Sequence, residues 1–84
     1  MKTNRRLRDL FLQIVNEQLS KNDPPEVRQT FDRLKQSGYS TLDTKILIAQ
    51  CIALEIFRIM KFGEEFDEIR YKHNLDALPQ EPKE

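Results

Sequence analysis

Apolar residues recur every three or four positions through most of the chain. No segment shows the two-residue alternation of a half-buried strand. The pattern predicts four helices. The first spans about 4–20, with Thr3 as its cap and an apolar stripe of Leu7, Leu10, Phe11, Ile14, Val15 and Leu19. Asp23-Pro24-Pro25-Glu26 reads as a second start, with Asp23 as cap, Pro24 at the first helical position and Glu26 closing a capping box. That helix extends to about Ser37 and carries a narrow stripe, Val27, Phe31 and Leu34, which suits a helix lying on the core. Gly38 ends it, since glycine takes the left-handed conformation without steric penalty.

Ser40 with Asp43 three residues on opens the third helix, expected from Thr41 to about Phe62. It is apolar nearly all round. Its larger stripe is Leu42, Ile46, Ala49, Ala53, Ile56, Phe57 and Met60, widened by Ile48, Ile52 and Ile59. A smaller stripe, Leu47, Cys51 and Leu54, lies on the far side. Gly63 ends this helix. Asp67 caps a fourth, with Phe66 and Tyr71 at the hydrophobic-staple positions. Tyr71, Leu75 and Leu78, with Ile69 beside them, make its apolar side, and Pro79 stops it. The expectation is an all-α fold: one compact four-helix domain over 1–79 with short connections, a central apolar third helix, and a flexible tail over 80–84.

Several stretches of this punctuation resemble a family of short bacterial all-helical proteins of unknown function. They include Asp23-Pro24-Pro25-Glu26-Val27, Gly38-Tyr39-Ser40, Leu47-Ile48-Ala49, Glu55-Ile56-Phe57, Phe66-Asp67, Arg70-Tyr71 and Leu78-Pro79. The resemblance covers about Val15 to Pro79. It implies a bacterial origin and a compact helical fold, and it transfers no site residue.

Length and composition narrow the functional classes. The 84 residues hold one domain, of which 38% are hydrophobic and 33% charged. Fourteen basic residues balance fourteen acidic ones, which argues against a dedicated nucleic-acid coat. The charge is unevenly placed, however. Residues 1–42 carry eight basic and five acidic side chains, and residues 43–84 carry six and nine. One cysteine excludes an internal disulfide, and one cysteine with one histidine disfavours structural zinc. The basic N-terminus is not followed by the apolar run of an export signal, and 46–60 is too polar to span a bilayer. A cytoplasmic protein with no membrane contact and no cofactor is the expectation.

Candidate chemistry is sparse. Cys51 and His73 form a nominal nucleophile–base pair, but a mid-helix cysteine among leucines is ordinarily an inert packing residue. The run Glu64, Glu65, Asp67 and Glu68 lacks the spacing and central glycine of a calcium loop, and no Glu-x-x-His pair occurs. The turn 36–40 has helix-turn-helix length, and Thr41, Asp43, Thr44 and Lys45 offer polar groups at the start of the third helix, but Asp43 would face phosphates and the rest of that helix is expected to be core. Glu55 stands in the most apolar helix. A buried carboxylate needs a partner, and Arg58 or Arg70 would supply a buried ion pair. Lys2, Arg5, Arg6 and Arg8 are candidate phosphate contacts, which defines one alternative, a weak nucleic-acid-binding or regulatory protein. No residue set points to catalysis. The preferred reading is a non-enzymatic protein–protein interaction module, with a second copy as partner and Leu47, Cys51 and Leu54 as its interface.

Overall fold

In the computed structural model of the chain, residues 5–83 are described. Four helices follow one another: α1 (Arg5–Lys21), α2 (Pro25–Gln36), α3 (Thr41–Phe62) and α4 (Glu68–Ala77). There is no strand among the described residues. Loops 22–24, 37–40 and 63–67 join the helices, short enough to hold consecutive helices side by side. One core draws on all four: Val15 and Leu19 of α1, Val27 and Leu34 of α2, Ile48, Cys51 and Ile52 of α3, and Tyr71 and Leu75 of α4.

Local chemistry sets most of the boundaries. The Ser40 hydroxyl accepts the Asp43 amide at 3.0 Å, and Gly63 takes φ +67° to end α3. Asp67 Oδ1 accepts the Arg70 amide at 3.0 Å, while the Phe66 and Tyr71 rings meet edge-to-face at 5.3 Å. The start of α2 differs from expectation by one residue. Pro24 occupies the cap with extended backbone (φ −76°, ψ 152°) and Pro25 begins the helix, with no side-chain cap bond from Asp23. The second proline explains the shift, because a residue preceding proline is driven out of the helical region.

The inner face of α3 is rotated relative to the sequence reading: Ile48, Ala49 and Ile52 of the expected stripe are buried and Ile56 packs on the core, but the buried face also takes in Cys51 of the far stripe. Thr44, Ile48, Ala49, Cys51, Ile52 and Glu55 are buried. Leu42, Phe57 and Met60 of the supposed core stripe are 51%, 47% and 80% exposed. Counting apolar residues misassigned the inner face because that face includes a threonine and a glutamate. Both are satisfied internally. The Thr44 hydroxyl donates to the Ser40 carbonyl at 2.7 Å, and Glu55 meets Arg70. On α2, Val27 and Leu34 of the narrow stripe are nearly inaccessible and Phe31 is partly buried, while Thr30, outside that stripe, is buried with them. Ile69, expected beside the buried side of α4, is 83% exposed. The turn of α4 that faces the core is set instead by Tyr71, Asn74 and Leu75.

Near the end of the chain two hydrogen bonds join Asn74 to Lys83. The buried Asn74 amide donates to the Lys83 carbonyl at 3.0 Å, and the Lys83 amide donates to Asn74 Oδ1 at 2.9 Å. Glu84 lies outside the described residues. No helix among the described residues is long and apolar enough to cross a membrane.

Candidate functional site

The outward face of α3 is the largest functional candidate. Leu42, Ile46, Ala49, Ala53, Phe57 and Met60 follow at steps of three and four residues, so they share one side of the helix, with Ala49 at its buried edge. The N-terminal half of α1 lies beside this stripe and leaves an apolar groove of about 240 Å³. Leu7, Phe11 and Leu12 form one wall, and Ile46, Ala49 and Ala53 form the other. The small side chains of Ala49 and Ala53 keep the groove open. On the other flank, Glu81 and Pro82 of the returning tail lie near Leu54 and Phe57 around a shallow depression. At the end of the stripe the Lys61 ammonium sits 5.2 Å from the Phe57 ring centroid and 5.3 Å from that of Phe62.

The interface expected at Leu47, Cys51 and Leu54 is not a free surface. Cys51 is wholly buried, Leu47 packs against the core, and Leu54 is half-buried beside the tail. The surplus apolar surface of α3 exists, but on the opposite side of the helix.

Of the expected ion-pair residues, Glu55 and Arg70 meet directly. Arg70 Nε and Nη2 donate to the two Glu55 carboxylate oxygens at 2.6 and 2.9 Å. The Asp67 amide adds a third bond to Glu55 at 3.0 Å, and Glu55 has no solvent exposure. Arg58 is placed on Glu64, donating from Nε and Nη2 at 2.8 and 2.7 Å, with its guanidinium over the Phe62 ring. Arg70 also lies 3.7 Å from Glu64 and 3.8 Å from Asp67. The Arg58 hydrogen bond is the chief reason the Glu64 carboxyl is held below its usual range, and the nearby charges of Arg58 and Arg70 add to it. This network closes loop 63–67 over α3 and pins α4. A carboxylate so enclosed is a joint in the fold and does not reach a substrate.

The remaining candidates fall apart in space. Burial pushes the Cys51 thiol up to about 12, with the Glu55 charge adding to the effect, while His73 is exposed to solvent. Tyr71 is also pushed up by burial, and its hydroxyl donates to Gln18 Oε1 at 2.6 Å. Arg5, Arg6 and Arg8 are exposed on the first turns of α1, and Lys2 lies outside the described residues. No group of three or more potential metal ligands occurs among the described residues.

Two structural residues escaped the sequence reading. Arg33 of α2 donates to the carbonyls of Leu78 and Leu75 at 2.8 and 3.0 Å, capping the C-terminal end of α4 with a cation. Asn74, which ties down the tail, stands three residues after Tyr71 and so shares its inward side. A polar residue at a core-facing position was the available signal for Asn74. Nothing local in the sequence marks Arg33, because its partners lie more than forty residues away.

Comparison of the chain with family models, with curated proteins and with solved structures yields no match.

Proposed function

We propose that this chain is a small non-enzymatic protein-interaction module that pairs with a second copy of itself through the outward face of α1 and α3. One observation carries the reading: the central helix of a small domain leaves Leu42, Phe57 and Met60 largely exposed along a single stripe. Together with Leu7 and the partly exposed Phe11, Ile46 and Ala53 of the groove, these side chains leave on the order of 500 Å² of apolar surface per copy. Two copies would bury roughly 1,000 Å², about the lower bound for a specific interface. Symmetric pairs are the commonest assemblies of identical chains, because one patch then serves both partners. The reading takes the chain to be cytoplasmic, a setting that suits its free thiol at Cys51.

The test is Phe57→Glu with Met60→Glu. Both positions are exposed, so helical content and monomer stability should stay near the wild-type values while light scattering shows a shift from dimer to monomer. Leu47→Lys should instead lower stability, since that side chain packs on the core. Loss of the fold in the Phe57/Met60 variant would show that the stripe belongs to the monomer and would defeat the reading.

A further inference from the structure

Resting on that self-association, we infer that the two copies lie antiparallel, α3 against α3, about a two-fold axis near residue 51. The order of side chains along the stripe is large, large, small, small, large, large: Leu42, Ile46, Ala49, Ala53, Phe57, Met60. Leu42 and Met60 are centred near residue 51, and so are Ile46 and Phe57, and Ala49 and Ala53. Reversing the helix therefore lays the stripe on itself. Leu42 meets the partner's Met60, Ile46 meets the partner's Phe57 at the wall of the groove, and Ala53, beside the buried Ala49, leaves room for the close approach at the centre. A parallel arrangement sets Phe57 on its own copy and Met60 on its own copy, bulk against bulk, with the alanines leaving a gap between.

Charge selects the same orientation. Asp43 and Lys61 are both exposed, and neither enters an internal salt bridge among the described residues. They are five helical turns apart, about 27 Å along α3, so they project from the same flank of the stripe. A two-fold axis perpendicular to the helix preserves the flank and reverses the direction. Asp43 then faces the partner's Lys61, and symmetry makes the contact twice. In a parallel pair the axis runs along the helices and sends the partner's flank to the other side, and Asp43 lies about 27 Å along the helix from the partner's Lys61, so neither charge gains its opposite. Their separation within one chain is too great for direct contact, so any coupling between these two positions reports on a second copy.

The deciding experiment is a charge exchange read by sedimentation equilibrium. Asp43→Lys and Lys61→Asp should each raise the dimer dissociation constant about tenfold or more, because each change spoils two symmetric contacts. The double variant Asp43→Lys/Lys61→Asp should return to within about threefold of wild type, and a mixture of the two single variants should pair preferentially with each other. Asp43 also sits in the first turn of α3, where a lysine opposes the helix dipole. Disulfide trapping gives an independent reading at exposed sites: Leu42→Cys mixed with Met60→Cys should cross-link, and Met60→Cys alone should not. Cys51 does not interfere, being buried. A wild-type dimer whose double variant is weaker than either single variant, or that cross-links through Met60→Cys alone, overturns the antiparallel arrangement and leaves self-association standing. A wild-type monomer at all concentrations overturns both.

Discussion

Arg70→Met is the substitution most damaging to the monomer. Arg70 is the guanidinium on which three carboxylates converge: Glu55 at 2.6 Å, Glu64 at 3.7 Å and Asp67 at 3.8 Å. Removing it leaves Glu55 fully buried with only the Asp67 amide, and leaves two further acids nearby. Breaking a buried pair by deleting one partner costs about 3–5 kcal/mol. A domain of this length is stable by only about 4–12 kcal/mol, so the variant stands at the edge of unfolding. Glu55→Leu together with Arg70→Met removes the charge and its partner at once, and its penalty should be well below that of Arg70→Met alone. Urea unfolding followed by circular dichroism at low protein concentration measures all three quantities. A loss under about 1 kcal/mol for Arg70→Met would refute the argument, since it would mean that water or another cation reaches Glu55.

Other consequences are more local. Arg33→Ala leaves the last carbonyls of α4 without their cationic donor and should destabilise by about 1–2 kcal/mol in the same urea assay. Cys51 should resist alkylation in the native protein and react only at the rate of opening, and rapid labelling under native conditions would contradict its burial. Glu64 has a folded-state pKa below its unfolded value. Its contribution is therefore present above the ordinary carboxyl range near 4.5 and is lost as pH falls through the lower folded value. Glu64→Gln should flatten stability against pH in that acid window, and an unchanged acid limb would count against the Arg58 contact.

The legibility of this chain in its sequence depended on the range of the interactions. Ser40, Gly63 and Asp67 act through their own neighbours, and the helix ends that depend on them fall close to where the spacing puts them. Pro24 and Pro25 were misread by one residue, because two local rules compete there and the restriction on the residue before a proline prevails. Glu55 stood out as a buried acid in need of a cation. Which arginine answers it depended on where α4 docks, which its own sequence does not specify. The inner face of α3 includes Ile48, Ala49 and Ile52 of the expected stripe but is turned away from Leu42, Phe57 and Met60, because hydrophobic periodicity weighs residue types and cannot see that Thr44 and Glu55 are satisfied internally. The same error hid the exposed stripe behind the label of core. The anchoring of the tail by Asn74 depends on a contact nine residues along the chain, beyond the reach of a helical pattern.

The molar mass of the wild-type chain, followed by sedimentation equilibrium over about a hundredfold range of concentration, tests the central claim most directly. The account predicts a mass rising from one chain to two, with the dimer lost in Phe57→Glu/Met60→Glu. A constant single-chain mass across the range would contradict it, and the stripe from Leu42 to Met60 would then face water in the working protein.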